Sequence, residues 1–334
     1  MKHRPFYISG LFLIFSVVFL FIFFNKTSRD SLVEQIQYSQ QLSARMEASS
    51  IESYVNSIGR MLLIISDDPS QDELDRFIET WFPMGILGIT LSDKDGMVIK
   101  ASNTINVPDL GENISDRDYF KWAQKTKSRE FRAFAPIVSK RGPNKDTYIV
   151  PVATSLFSVD NKFNGVLIIG ISLSNLSKDY LNNPKILDST KIYLVTNSGE
   201  IIYSDYPELI RKNFKDVFTN NFLGKNKVME IILDNLKKND ESKLELAIPG
   251  FGSNFRLEPY LISVSPIHIS DQLWNLVMIT PEKDLNVFTY KIYSRQIFIL
   301  FVVFVVFIAL TIKVFRKSDY EEAVKNEHKI HGID

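Results

Sequence analysis

The chain has 334 residues, zero formal net charge, 45% hydrophobic and 23% charged residues, which is typical of a globular protein with room for two modest domains. It contains no cysteine, which excludes disulfide bonds, thiolate metal sites and a cysteine nucleophile. Of four histidines, only His268 lies outside the terminal segments, so a histidine-based zinc site or a Ser-His-Asp triad in the main domain is nearly excluded. We therefore expect no enzyme, no metal and no cofactor, and the zero net charge argues against a nucleic-acid partner.

Two stretches are apolar enough to cross a membrane. Residues 7–24 carry no charge, and residues 296–315 carry only Lys313, whose long side chain can reach the membrane surface. About 20 helical residues, and at least about 17, span a hydrocarbon core of roughly 30 Å, so both stretches are predicted to be transmembrane helices. The basic start at residues 2–4 would also fit a cleaved signal peptide. The first run is longer than such a peptide needs and ends without a small-residue cleavage site, so we interpret it as an uncleaved anchor.

Basic residues predict the orientation of these helices. By the positive-inside rule, the basic tail after the second helix is cytoplasmic, so the N-terminus is cytoplasmic too and residues 25–295 lie outside. Basic residues on the outer flanks make this asymmetry modest. The tail residues are Lys313, Arg316, Lys317, Lys325 and Lys329, and the outer ones are Lys26, Arg29, Lys291 and Arg295.

A long helix is predicted to follow the first apolar stretch. Residues 28–66 contain no proline, and their apolar residues recur at spacings of three to six, mostly near one helical face. Such a helix would be roughly 60 Å long, which suits a spine along which two modules stack. Two helices broken near residues 49–50 are the alternative. Ser70 and Glu73 then have the spacing of a capping box that opens a second helix through Trp81.

The sequence contains an internal repeat. Residues 89–102 superpose without gaps on residues 192–205 at an offset of 103, and both have the strand-turn-strand signature of a hairpin with glycine at the turn. Two tandem copies of one α+β unit are therefore predicted, each with a near-continuous apolar strand at the centre of its sheet. The later apolar segments repeat as well, with 147–154 and 165–172 corresponding to 259–266 and 274–281.

Together these features resemble a known family. A long N-terminal helix, the segment SDRDYF at residues 115–120, the strand at 165–173 and a second strand-Asn-Ser-Gly-strand unit before a membrane helix are similar to the double Cache (dCache) sensor domains of bacterial transmembrane receptors, over about residues 28–290. The resemblance implies an α+β fold in which a spine helix carries two tandem PAS-like (Cache) modules between two transmembrane helices. It also implies a bacterial cytoplasmic (inner) membrane location, with the main domain periplasmic or extracellular.

We expect this chain to have no output domain of its own. Residues 313–334, 22 in all, follow the second apolar run, whereas receptors of this family normally continue into a kinase, cyclase or chemotaxis domain. We therefore expect the chain to signal through a separate protein. The predicted segments are a cytoplasmic N-terminus (1–6), a transmembrane helix (7–24), the spine and second helix (25–84), a membrane-distal Cache module (85–183), a membrane-proximal Cache module (184–292), a transmembrane helix (296–315) and a short cytoplasmic tail (316–334).

The family places its ligand in the membrane-distal module, here about residues 85–175. In members that bind amino acids, an arginine is followed after one residue by Trp-Tyr, and an aspartate on the last central strand takes the ligand amine. This sequence keeps the arginine as Arg117, has Tyr119 and Phe120 in place of Trp-Tyr, and has Gly170 in place of the aspartate. An ammonium group would lose its charge partner there, so the resemblance implies a small carboxylate-bearing or otherwise anionic ligand.

The candidate site has a purely structural alternative. Arg117 could pair with Asp116 or Asp118 near a helix start, while the aromatic residues fill the core. The sequence predicts no comparable cluster of a cation and aromatic residues in the second module. We therefore expect this module to transmit the signal and not to bind the ligand. The candidate ligand contacts are Arg117, Tyr119, Trp122 and Tyr148.

The sequence thus favours a membrane-anchored extracytoplasmic sensor that binds a small anionic ligand or an envelope partner. Closure of its distal pocket would shift the packing of the spine helix and so carry a signal. A ligand-free structural or docking protein of the cell envelope is the alternative. The expected partners are an organic-acid-like small molecule, the cytoplasmic membrane, a separate signalling protein and, because the spine is long, a second copy in a parallel homodimer.

Overall fold

The computed structural model describes most of the chain. Contacts divide it into two compact units, residues 36–284 and residues 1–35 with 285–334. Within the described part, no helix combines the length and the hydropathy that a membrane span needs. Residues 311, 314 and 315 of the second predicted span and most of the predicted tail lie outside the described residues. The described residues are 4–65, 69–105, 110–139, 145–181, 185–219, 226–238, 240–249, 257–285 and 294–310, with 312, 313, 316 and 320.

The predicted spine is one continuous helix, α1 (Arg4–Ile64), of 61 residues. The alternative break near residues 49–50 does not occur. Ser50 Oγ donates to a carbonyl four residues earlier, at 2.9 Å, so its hydroxyl is satisfied within the helix instead of ending it. The capping box of α2 (Gln71–Trp81) is confirmed, because Ser70 Oγ accepts from Glu73 N–H at 3.2 Å and Ser70 N–H donates to Glu73 Oε2 at 2.6 Å.

The first module is an antiparallel sheet in the order β2-β1-β6-β5-β3, with β4 also paired to β5. Helix α3 packs on one face of this sheet and α1 on the other, since alternate residues of β6 belong to two separate apolar clusters. Because both faces of β6 are buried, its sequence is a nearly continuous apolar run. The elements are β1 (Ile86–Asp93), β2 (Val98–Asn103), α3 (Asp118–Lys125), β3 (Phe131–Ala133), β4 (Ile137–Val138), β5 (Tyr148–Phe157), β6 (Phe163–Ser172) and α4 (Leu173–Tyr180).

The second module repeats this plan. Its antiparallel sheet has the order β8-β7-β11-β10-β9, so each hairpin and each central strand has the same neighbours as in the first module. The predicted internal repeat is therefore confirmed as a structural duplication. The elements are β7 (Lys191–Thr196), β8 (Ile201–Ser204), α5 (Phe214–Thr219), α6 (Asn226–Lys237), β9 (Ser242–Pro249), β10 (Leu257–Ile269) and β11 (Gln272–Pro281).

The loop after each first hairpin also repeats, but at an offset of 100 instead of 103. The backbone N–H of Gly111 donates to β2 and that of Arg211 donates to β8, each at 2.9 Å. Both residues have positive φ, 77° and 73°. Asn113 and Asn213 each form an isolated bridge to the hairpin, and each side-chain Oδ1 accepts from the backbone N–H two residues later at 2.9 Å. Gly111 and Arg211 therefore occupy equivalent positions.

Helix α1 runs through a core that draws on both sheets. Beside the first sheet, a Cβ at Gly59 would lie 2.1 Å from the ring of Phe131, so only glycine permits this close approach. Beside the second sheet, buried Gln40 donates to Met278 O at 2.8 Å and accepts from Thr280 Oγ1 at 2.8 Å. The buried hydrophobic side chains of α1 in this core are Ala44, Ala48, Ile51, Tyr54, Val55, Ile58 and Leu62.

Candidate ligand-binding site

Helix α3 positions the arginine predicted from the sequence. Arg117 is the N-cap residue, in an extended conformation, and Asp118 opens the first turn, where the helix dipole favours a carboxylate. Tyr119 and Phe120 are buried against the sheet, which fixes the orientation of the helix by apolar packing. Arg117 precedes this buried face directly, and its side chain is only 22% exposed.

A pocket of about 660 Å³ opens at the start of α3, within the size range of small-molecule sites. Residues 116–119, Asp146 and Tyr148 of the first module form part of its lining. A second part is the segment 134–139, which includes β4 and is called the wall below. The second module completes the lining with Glu200, Arg211 and Gln272.

The structure brings together three of the four predicted contacts. Arg117, Tyr119 and Tyr148 line the pocket, whereas Trp122 does not. Instead, the ring of Trp122 packs edge-on against Phe134 of the wall, with 5.6 Å between centroids, and Tyr119 packs against the same ring at 6.1 Å. Trp122 therefore supports the wall from outside the lining.

Arg117 is only loosely paired. Its Nε lies 3.9 Å from Oδ1 of Asp116, at the limit of an ion pair, and the Asp116 side chain is 70% exposed. A guanidinium group has five N–H donors, so one long contact satisfies little of its capacity. The structural role considered from the sequence, pairing with Asp116, is thus present in a weak form that leaves room for a ligand.

Tyr119 adds a protonated hydroxyl to this region. Burial raises its pKa from 10.0 to about 12, and the Arg117 charge opposes only part of that shift. The hydroxyl therefore remains a neutral donor at physiological pH, suited to hydrogen bonding with an acceptor on a ligand.

The pocket also carries four carboxylates, on Asp116, Asp118, Asp146 and Glu200, against two guanidinium groups. Glu200 is already engaged, because its Oε1 lies 2.9 Å from Nε of Arg211. Of the two guanidinium groups, Arg117 has the longer contact with a carboxylate, 3.9 Å to Asp116 compared with 2.9 Å from Arg211 to Glu200.

The equivalent face of the second sheet is filled. Phe214 of α5 is fully buried and packs edge-on against Tyr193, with 5.4 Å between ring centroids. Ile232 and Leu236 of α6 are also buried in this cluster. Burial raises the pKa of Tyr193 strongly, in keeping with a tightly packed apolar site.

Sequence reasoning missed the wall and the contribution of the second module. Glu200 and Arg211 come from the second copy of the repeated hairpin and its loop, and Gln272 begins β11. A signal for Arg211 exists in the sequence, since it stands where the first module has Gly111. It appears only when the two loops are aligned at an offset of 100, three residues away from the hairpin register.

Comparisons with known proteins agree with this architecture. The family model described as Cache domain, dCache_1, matches residues 24–287. No curated protein matches the chain.

Solved structures with the same fold include domains of chemoreceptors and of a candidate histidine kinase. A methyl-accepting chemotaxis protein X is 16% identical with a TM-score of 0.55, covering 74% of this chain and 98% of its own. The ligand-binding domain of the Pseudomonas fluorescens chemoreceptor CtaA, solved with L-isoleucine, is 16% identical with a TM-score of 0.54, covering 80% and 99%. The extracellular domain of a candidate histidine kinase, mmHK1S-Z3, is 15% identical with a TM-score of 0.55, covering 78% and 98%.

Proposed function

Because this chain belongs to the Cache domain family, whose model matches residues 24–287, we propose that it is an extracytoplasmic sensor whose pocket at the start of α3 binds a small molecule. The observation that carries the proposal is a pocket of about 660 Å³ that contains loosely paired Arg117 beside Tyr119 and Tyr148. The CtaA domain, which has the same fold, was solved with L-isoleucine. A domain of this architecture can therefore enclose a ligand of that size.

The ligand carries a carboxylate or another anionic group that binds Arg117. Guanidinium groups pair with carboxylates through two parallel N–H donors, and such charge-assisted bonds are about twice as strong as neutral ones. Gly170, on the central strand β6, offers no side chain to an amine. Asp118 and Asp146 do line the pocket, so amines are included in the test as competitors.

The test measures the unfolding temperature of the purified full chain with acetate, propionate and succinate. Glycine, alanine and aspartate, which add an amine to the same carbon skeletons, are tested alongside. We expect an organic acid to raise the unfolding temperature of the wild type. Arg117→Ala should weaken its binding about 10- to 100-fold, the loss expected for a charge-assisted hydrogen bond worth roughly 1.5–3 kcal/mol. Lys121→Ala is the matched control, because it removes an exposed cation one turn along the same helix.

Two results would contradict the proposal. Equal binding by wild type and Arg117→Ala would remove Arg117 from the site. A wild-type protein that no compound in the panel stabilises would favour the alternative, a docking protein of the envelope that binds no ligand.

We also propose that residues 7–24 and 296–315 anchor the sensor in the cytoplasmic membrane, with the Cache modules outside. The support is the uncharged sequence of the first stretch and the exposure of large apolar side chains in both. Phe15 is 70% exposed, Phe298 67% and Phe301 62%, and water-exposed apolar patches of this kind mark membrane or protein contacts. Extraction with alkaline carbonate should leave the full chain in the membrane pellet, and release into the supernatant would contradict the anchors.

Ligand binding in the pocket would be communicated to a signalling partner on the cytoplasmic side of the membrane. A parallel homodimer along α1 would be the simplest way to transmit it, and cross-linking of a single cysteine at exposed Ser53 tests this arrangement. The absence of a dimer band at all protein concentrations would contradict it.

A further inference from the structure

One residue of the second module departs from the repeat in an informative way. Arg211 stands at the position of Gly111, and both have left-handed backbones, with φ of 73° and 77°. Residues other than glycine, asparagine and aspartate adopt this conformation at an energetic cost. Glycine would therefore adopt this backbone conformation at a lower energetic cost. The arginine indicates that its side chain has a role outside its own loop.

The Arg211 side chain connects the two modules. Its Nη1 donates to the backbone carbonyl of Pro136 at 2.8 Å, and its Nε lies 2.9 Å from Oε1 of Glu200. Pro136 belongs to the wall, so a residue of the second module holds one side of the pocket. Glu200 pairs with the same guanidinium, and the Arg211 side chain is 45% exposed.

Both ends of this connection are firmly attached. On the second module, the backbone N–H of Arg211 donates to Ile201 O at 2.9 Å, so the loop is tied to β8. On the first module, Phe134 of the wall packs against Tyr119 and Trp122 of α3. A displacement of α3 or of the wall would therefore act directly on the hydrogen bond between Arg211 and Pro136.

A second contact between the modules lies beside the wall. Arg132 of β3 lies 3.7 Å from Asp271, Nε to Oδ1, and accordingly ties the sheet edge to the turn between β10 and β11. Arg132 also lies over the ring of Phe134, 5.8 Å from its centroid. Asp271 is not among the residues that line the pocket, so its side chain provides the comparison.

We propose that Arg211 is a positioning residue of the second module. Its side chain holds the wall of the pocket in place, and it transmits movement of the wall to residues 207–213, the loop before α5. The inference rests on the proposed function of the pocket and adds the route by which its occupancy is transmitted. A ligand that moves the wall changes the Arg211–Pro136 hydrogen bond, and the loop anchored on β8 follows.

Hydrogen–deuterium exchange of the full chain without any ligand tests this inference. Arg211→Gly keeps the left-handed backbone without strain and removes the connection, so we expect amides of residues 134–139 to exchange at least about threefold faster, while those of β6 are unchanged. Asp271→Ala, which breaks the ion pair with Arg132 and leaves Arg132 beside Phe134, should leave the wall unchanged. Equal exchange of the wall in wild type and Arg211→Gly would overturn the proposal. Arg211→Lys, which keeps the charge near Glu200 but not the planar fork, provides the second variant if the glycine protein does not fold.

A double-mutant cycle tests transmission itself. Phe134→Ala loosens the wall, and in the wild-type background it should speed exchange in residues 207–213 by at least about threefold. In the Arg211→Gly background the same substitution should have no effect on that loop. An undiminished effect would show that another route connects the wall to the loop and would overturn the role of Arg211. Because no ligand is added, either outcome is independent of whether the pocket binds an organic acid.

Discussion

The two modules share one strand order but treat the outer face of the sheet differently. In the first module, the eight-residue helix α3 covers only part of this face, and a pocket remains at its start. In the second, α5 and α6 cover the equivalent face, and Phe214, Ile232 and Leu236 fill it. The duplicated fold therefore leaves an open pocket in one copy and a filled core in the other. A filled core excludes a ligand, and an open pocket forgoes apolar burial.

The spine helix meets the two sheets in correspondingly different ways. Gln40 is hydrogen-bonded to backbone and side-chain groups of β11, and such directional bonds fix the position of the helix. Beside the first sheet, α1 makes a close apolar contact between Gly59 and the ring of Phe131, and Tyr54 Oη donates to Met84 O just before β1. Both modules are thus tied to α1 by hydrogen bonds, and the buried bonds of Gln40 are made to the second.

The largest effect that tests this comparison is expected from Phe214→Ala. Removing a fully buried ring leaves a cavity in the second module, and we expect a loss of about 3–5 kcal/mol in the free energy of unfolding. Tyr148→Ala, at the open pocket of the first module, should cost only about 1 kcal/mol, since its side chain is partly exposed already. Urea denaturation of the full chain measures both, and equal losses would contradict the contrast between a filled and an open face.

A smaller effect is expected at Gln40. Gln40→Leu removes two donated hydrogen bonds and leaves Thr280 with one fewer acceptor, which should cost about 1–3 kcal/mol of unfolding free energy. Ser39→Ala, at an exposed neighbour on the same helix, should change stability by less than about 0.5 kcal/mol. A Gln40→Leu protein as stable as the wild type in the same urea titration would show that the Gln40 hydrogen bonds do not stabilise the helix there.

Most of the fold could be predicted because its signals are local. The capping box at Ser70 and Glu73, the uninterrupted helix pattern and the glycines of the two hairpins each depend on a few neighbouring residues. The tandem repeat could be predicted because residues 89–102 and 192–205 align without gaps at a fixed offset of 103. The resemblance to double Cache domains, confirmed by the family model, rested on the same elements.

The candidate site could be predicted only in part, for a physical reason. Arg117, Tyr119 and Tyr148 lie in one module and in elements that pair or pack directly, so their approach followed from the expected fold. Arg211 and Glu200 reach the pocket through the packing of one module on the other, which no local pattern encodes. Trp122 was grouped with the ligand contacts because of its position in α3, but its ring meets Phe134 of the wall.

The smallest expected effect concerns the Tyr119 hydroxyl, the polar end of a side chain shared by the core and the pocket. Its folded pKa is raised by burial to about 12 from 10.0, so its contribution to stability is complete below pH 10 and is lost as the pH rises from 10 through about 12. Near pH 11 the loss is about 1 kcal/mol, because the unfolded tyrosine ionises while the folded one does not. Tyr119→Phe should remove that part of the pH dependence in urea titrations between these pH values. If wild type and variant lose stability in parallel, the ring is not held in a setting that disfavours its charge, and the first module is more open at this point than its packing indicates.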